Sequence, residues 1–283
     1  MSWTIRSVLS WSGQYLQTKG IDSPRLDSEI LLSHSLGLRR IDLYLDIDRP
    51  LTQEELSSFR TLLKRRSIFE PIAYILNEKE FFGRSFHVNP DVLIPRPETE
   101  ILVEQAVSMA PQGSTIAEIG VGSGAVIISI LCEREDLTGY GNDISCRAVL
   151  TARNNARMHN IDKRLHLFAG RSVEAFSAEF SLIVVNPPYI ALRDKDMLGA
   201  DVIDYEPLDA LFGGNDGLDV IKEIFMDVRA CMVSRGRLIM EVGYDQKASI
   251  QEIVNEQDDL DIVEWVKDLS GKDRAVIVEK TVG

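Results

Sequence analysis

The chain has little of what builds metal centres or cross-links: three cysteines and four histidines in 283 residues. Cys132, Cys146 and Cys231 are far apart and odd in number. They are expected to be reduced, buried thiols of a cytoplasmic protein rather than a disulfide framework. His34, His87, His159 and His166 show no ligand spacing, so no metal is expected. No run approaches the ~18 apolar residues of a membrane span. The opening MSWTIRSVLSWSGQ lacks the apolar stretch and small-residue cleavage site of a secretory signal. Internal repeats and low-complexity tracts are missing as well. Positive charge is also short. Net charge is −13, and residues 1–78 are balanced with ten basic and ten acidic side chains, so the whole excess falls on the remainder. Tight nucleic-acid binding draws on a basic footprint, and an acidic second part argues against DNA or RNA as the main partner.

What is present is an ordinary globular composition, 45% hydrophobic and 27% charged, with a change of pattern along the chain. The first seventy-odd residues predict a small helical bundle. Ser23-Pro24 reads as an N-cap with proline at the first helical position, and Leu26, Ile30, Leu31 and His34 follow at helical spacing. Thr52 to Glu55 fits a capping box, with Leu56, Phe59, Leu62 and Leu63 as one apolar face. Lys64-Arg65-Arg66 would complement that helix's dipole and be solvated. Between about 73 and 95, aromatic and β-branched residues around Asn77 and Gly83 predict a hairpin linker. IPRPETE, 94–100, leads into a helix over 100–109. From 113 onward strands over 115–119, 139–142, 165–169, 181–185, 237–242, 261–266 and 275–279 alternate with helices such as 125–134, 145–159 and 218–232. That alternation predicts an α/β domain, a mostly parallel sheet covered on both faces.

Two strand ends carry the chemistry. The first runs into Glu118-Ile-Gly120-Val121-Gly122-Ser123-Gly124-Ala125, where glycines permit a tight turn and close approach of a ligand. Read as Gly120-x-Gly122-x-x-Ala125 it passes a loose dinucleotide fingerprint. Read from Glu118 as E-x-G-x-G-x-G it looks like motif I of S-adenosylmethionine-dependent methyltransferases. Either reading places a nucleoside at the sheet's switch point. Asp143, at the end of the second strand, can accept from both ribose hydroxyls or cap the helix that follows.

The second is VVNPPYIAL, 184–192, in which a buried strand stops at a rigid polar elbow. The Asn186 side-chain oxygen and the Pro187 carbonyl, between the two prolines, make a pair of acceptors suited to a planar NH2 group, with Tyr189 available to stack on it. Accepting both N–H bonds frees a conjugated lone pair to attack an electrophilic methyl. Such a transfer runs on positioning and electrostatics.

Asn-Pro-Pro-Tyr alone resembles amino-methyltransferases acting on adenine, guanine N2 or glutamine. EPIAYILNEKEFFG, LIPRPETEILVEQ, EIGVGSGAVIISI, NPPYI, YEPLDALFGGNDGL and MEVGYDQ together resemble the HemK/PrmC family, the protein-(glutamine-N5) methyltransferases of peptide chain release factors. The resemblance spans nearly the whole chain. It implies a Rossmann-like class I methyltransferase domain with a seven-stranded sheet over 96–283, an amino-terminal helical bundle over 1–72 that docks the release factor, and the linker between them. It implies S-adenosylmethionine held by Glu118, Gly120, Val121, Gly122, Ser123, Gly124, Asp143 and Asn186. Asn186, Pro187, Pro188 and Tyr189 would hold the glutamine of the release factor's Gly-Gly-Gln loop, with Asn186, Pro187 and Tyr189 catalytic. Arg96, Glu98, Thr99 and Glu100 would line that site, and Glu206 would order the loop after the elbow. The chain departs from the family pattern at Gly170-Arg171-Ser172, where an acidic residue and then an aromatic or leucine is usual, so the resemblance does not carry the adenine-side contacts over; Arg171 remains a candidate cofactor residue. Ser181 replaces a usual aspartate. The expectation is therefore a monomeric enzyme acting on class 1 release factors. Its rivals are an amino-methyltransferase of nucleic-acid bases and a non-catalytic cofactor-binding partner of the translation machinery.

Overall fold

The computed structural model describes residues 3–171 and 178–281; Ser172 lies outside them. The chain divides into two compact units, Met1–Asn77 with Gly199–Tyr205, and Glu78–Leu198 with Glu206–Gly283. The expected hairpin falls in the second unit.

The first unit contains α1 (Ile5–Thr18), α2 (Pro24–Leu36), α3 (Asp42–Leu45), α4 (Gln53–Arg66) and α5 (Ile72–Leu76). Thr52 and Glu55 cap α4 reciprocally, each side chain accepting from the other's backbone N–H at 3.2 and 2.8 Å. The expected face of α4 is buried at Leu56, Phe59 and Leu63, against Ile5, Leu16, Leu31 and Leu32. Helix α2 differs from expectation. Leu26 is 40% exposed and His34 faces solvent, while Asp27, Ser28, Leu31 and Leu32 point inward. Among the described residues Ser23 stands at the N-cap without a side-chain capping bond. The reason is Arg66, which is buried, pairs with Asp27 at 2.7 Å and donates to the carbonyls of Phe69 and Glu70. Arg65 pairs with Glu70. Of the basic trio only Lys64 is solvated as expected. The returning segment carries α9 (Ala200–Ile203), and Tyr205 donates its hydroxyl to the Ile68 carbonyl at 2.6 Å.

The second unit opens with the hairpin β1 (Glu78–Phe81) and β2 (Arg84–His87), turned at Phe82-Gly83 with both residues left-handed. The 3-10 turn Pro97–Thr99 then leads into α6 (Glu100–Met109). The large sheet comprises β3 (Thr115–Ile119), β4 (Thr138–Asp143), β5 (Leu165–Ala169), β6 (Phe180–Val185), β7 (Met232–Glu241), β8 (Leu260–Lys267) and β9 (Asp273–Lys280). Its order is β5-β4-β3-β6-β7-β9-β8, parallel through β7, with β9 antiparallel to both neighbours. Helices α7 (Ala125–Glu133), α8 (Cys146–Met158), α10 (Asp219–Cys231) and α11 (Lys247–Asn255) fill the crossovers.

Strand residues of opposite parity feed two apolar cores. Ile116, Leu182, Val184 and Ile239 join Leu102, Ile127 and Leu131 in one, and Ala117, Ile183, Val185 and Met240 join Phe225, Val228 and Ile250 in the other. Burial on both faces is why β6 reads as a continuous apolar run. Of the cysteines only Cys231 is buried; Cys132 is half-buried and Cys146 exposed, because Cys146 opens α8 on a solvent-facing turn. Among the described residues no helix is long and apolar enough to cross a membrane.

Candidate active site

The chain steps from β3 out to β5 and returns to β6 on β3's other side, so β3 and β6 diverge at the switch point where open sheets bind ligands. A cavity of about 740 Å³ opens there. Its walls include the glycine loop, Asp143 and the Asn-Pro-Pro segment.

The loop is left-handed at Gly120, Gly122 and Gly124, with φ of +72°, +52° and +80°. The N–H groups of Gly120 and Val121 both donate to the Asn142 carbonyl at 2.9 Å, folding the loop back over β4. A Cβ on Gly120 or Gly122 would project into open space, whereas one on Gly124 would come within 2.8 Å of Ile128 Cδ1. The loop is thus packed on its helix side and bare on its cavity side. Asp143 braces it, accepting from Gly122 N–H and Ser145 N–H at 2.9 Å each. It therefore ties loop to helix, while Ser145 is the cap of α8.

Two carboxylates share this wall. Glu118 is 3% exposed and accepts from Ile127 N–H at 3.0 Å. Burial pushes its carboxyl well above the usual range, and the nearby Asp143 charge adds to the effect. Asp143 is also raised, by burial against its two backbone hydrogen bonds. Among the described residues the buried Asn142 side-chain oxygen has no partner. Bare glycine surface, under-compensated carboxylates and an orphaned acceptor suit a ligand that brings an ammonium, hydroxyl donors and a polar ring. S-adenosylmethionine has all three.

The elbow forms the other wall. Asn186 donates its Nδ2 to Thr99 Oγ1 at 3.2 Å. Among the described residues no donor meets Asn186 Oδ1 or the Pro187 carbonyl. Two carbonyls further along the chain are occupied. Tyr189 O accepts from Gln246 Nε2 at 3.1 Å and Ile190 O from Gly213 N–H at 3.0 Å. The 205–218 loop lies so close that a Cβ on Gly217 would sit 2.2 Å from Tyr189 O, and one on Gly213 2.3 Å from Pro188 O. The GGNDG glycines are there to let that loop clasp the elbow.

Asn186, Pro187, Pro188, Arg96 and Thr99 line the cavity with Glu118, Gly120, Val121, Gly122, Ser123 and Asp143. Arg171 does too, at the rim, where its exposed guanidinium pairs with Glu223 of α10. The structure places others elsewhere. Gly124 closes the loop against α8, with Ala152 beside it. The ring of Tyr189 packs on the β7 side of the core, and its hydroxyl donates to Glu241 at 3.1 Å. Burial and the Glu241 charge push its pKa well above the usual phenol value. Glu100 accepts from Phe82 N–H at 2.8 Å, pinning the hairpin turn; as the first residue of α6 it is aimed back at that turn. Glu98 is solvent-exposed. Glu206 is buried, accepts from Ile94 N–H at 3.1 Å and pairs with Arg96, so it orders the IPRPETE stretch.

Sequence reasoning missed Ile144 and Phe212, apolar residues on the cavity wall. Ile144 carried a readable signal: it is an isoleucine between a site carboxylate and a helix cap, 60% exposed and with no core to enter.

Fold, cavity and elbow together define a class I S-adenosylmethionine-dependent methyltransferase. A methyltransferase from Pyrococcus furiosus shares the fold, with a TM-score of 0.54 at 15% identity over 80% of this chain and 99% of that one. Residues 7–76 match the PrmC N-terminal domain and residues 97–205 the methyltransferase small domain. The release factor glutamine methyltransferase of Geobacter sulfurreducens is 41% identical over 249 residues, 88% of this chain and 87% of that protein. That of Nitratidesulfovibrio vulgaris is 38% identical over 283 residues, 99% and 96% of the two chains. The chain belongs to the release factor glutamine methyltransferase family.

Proposed function

We propose that this protein, a cytoplasmic monomer, methylates the side-chain nitrogen N5 of the glutamine in the Gly-Gly-Gln loop of class 1 release factors. The observation that carries the reading is the pair of free acceptors, Asn186 Oδ1 and the Pro187 carbonyl, on a cavity that also holds the glycine loop. Bound against Glu118, Gly120, Gly122 and Asp143, S-adenosylmethionine supplies an electrophilic methyl on a sulfonium. Asn186 Oδ1 and Pro187 O each accept one N–H of the glutamine amide, so its nitrogen is held still and its lone pair is drawn out of conjugation. No general base is required before attack, because the methylated nitrogen readily gives its surplus proton to solvent. The prolines fix the Pro187 carbonyl and Thr99 holds the Asn186 amide beside it, which makes positioning the main source of rate.

A glutamine side chain alone offers little to recognise, so the amino-terminal unit supplies docking. Leu38, Ile41, Tyr44 and Leu45 are exposed together on it, Leu45 by 78%, an apolar surface of the kind that meets a protein. The acidic second unit weighs against a nucleic acid in the same cavity. The test is transfer of labelled methyl to an intact release factor, to the same factor with its loop glutamine replaced, and to RNA and DNA. Label on the first alone supports the reading; label on the nucleic acids would mean that the elbow holds a base.

A further inference from the structure

Glu241, the last residue of β7, is 1% exposed and lies behind the elbow rather than on the cavity. Its Oε1 accepts from the Tyr189 hydroxyl at 3.1 Å. Among the described residues no donor meets its buried Oε2 at hydrogen-bonding geometry, and Thr99, buried beside it, favours the charged form of the carboxylate. Thr99, 3% exposed, also receives Asn186 Nδ2–H at 3.2 Å. One buried carboxylate therefore touches Tyr189 at one end of the elbow and, across Thr99, Asn186 at the other. Burial raises its pKa above the ordinary glutamate range, while the Thr99 and Tyr189 hydroxyls and Arg274 favour its charge and Glu98 opposes it.

We propose that Glu241 is a positioning residue that sets the orientation of the Asn186 amide through the hydroxyl of Thr99. A hydroxyl has one proton to give. A buried, unpaired carboxylate oxygen is costly and draws that proton to itself. Thr99 is then only an acceptor towards Asn186, so Asn186 must turn its NH2 to Thr99 and its Oδ1 to the cavity. Without the carboxylate, Thr99 can donate to Oδ1. The amide then turns over and sets its own NH2 against the substrate's NH2, donor facing donor. The elbow as written in the sequence permits both orientations; Glu241 selects the productive one. This rests on the reading of the elbow as an amide clamp.

The test uses the full-length enzyme with an intact release factor. Glu241→Gln keeps size and shape but can donate to Thr99, and Thr99→Val removes the acceptor that Asn186 needs. Each is expected to lower kcat about 100-fold, the order seen when one oriented polar group in an active site is lost, with S-adenosylhomocysteine affinity within about twofold of wild type. Thr99→Ser, which keeps the hydroxyl, should restore kcat to within about threefold, and the Glu241→Gln/Thr99→Val double variant should be no slower than the slower single variant. A role in packing alone would predict additive losses and no distinction between serine and valine. Undiminished kcat in Glu241→Gln or Thr99→Val, additive losses in the double variant, or loss of S-adenosylhomocysteine binding in step with kcat in a folded variant would overturn the proposal. Should Glu241→Gln not fold, the contrast between Thr99→Ser and Thr99→Val decides it alone. Wild-type enzyme that does not methylate the glutamine at all would instead overturn the functional reading.

Discussion

Two glycines two residues apart should respond to the same substitution in opposite ways. Gly122 and Gly124 are both left-handed, at φ +52° and +80°, so alanine at either costs about 1–2 kcal/mol in backbone strain. At Gly122 the new methyl group would enter open space on the cavity side. At Gly124 it would meet Ile128 Cδ1 at 2.8 Å and Ala152 Cβ at 3.1 Å, and overpacking adds about 1–3 kcal/mol. Gly124→Ala should therefore lose about 2–5 kcal/mol. At about 2–4 °C per kcal/mol, Tm falls by on the order of 10 °C. Gly122→Ala should lose only a few degrees, yet its methyl would occupy the surface on which the cofactor lies, weakening S-adenosylhomocysteine binding by at least about tenfold, or ~1.4 kcal/mol. Thermal melting of the apo proteins and calorimetric titration separate the two effects. If Gly122→Ala binds S-adenosylhomocysteine as tightly as wild type, the open face of the loop is not the cofactor's cradle.

Asn186→Ala removes one of the two free acceptors; kcat is expected to fall about 100- to 1000-fold with S-adenosylhomocysteine affinity intact, measured by methyl transfer and calorimetry on the same sample. Glu118 titrates higher when folded than when unfolded, so apo stability should decline as pH rises from the ordinary glutamate range through the raised value. The loss is about 1.4 kcal/mol for each pH unit over which the folded carboxyl keeps its proton and the unfolded one does not. Glu118→Gln keeps the Ile127 acceptor and should flatten that slope in denaturant unfolding at pH values across that range; an unchanged slope would assign the effect to another group. Ile41→Asp with Leu45→Asp should raise KM for intact release factor at least about tenfold while leaving KM for a short Gly-Gly-Gln peptide alone. Equal KM values for the variant and wild type on the intact factor would remove the docking role of that surface.

The sheet was legible because its strands are buried on both faces and bounded by turn residues, so runs such as Leu182–Val185 stand out without any knowledge of neighbours. The elbow was legible because a rigid dipeptide flanked by polar groups has few structural uses. What stayed hidden were pairings between residues far apart in the chain. Asp27 and Arg66, 39 residues apart, turn α2 away from the face its apolar spacing suggests. Glu206 reaches Arg96 across 110 residues, and Glu100 is drawn to Phe82 rather than to the cavity. A carboxylate in a motif announces that it bonds to something, not to what. Tyr189 makes the same point, since a phenol beside a clamp is as available to a buried Glu241 as to a substrate's plane.

The central claim is that the elbow presents a glutamine side-chain nitrogen to the methyl donor. The most direct test is to locate the methyl on a release factor after reaction. Fragment-ion mass spectrometry should place a single added methyl on the glutamine of the Gly-Gly-Gln loop, and acid hydrolysis of that peptide should release methylamine, the signature of a methyl on nitrogen. Asn186→Ala should leave the peptide unmodified. A methyl on another residue, or methanol released from a carboxyl ester, would contradict the account.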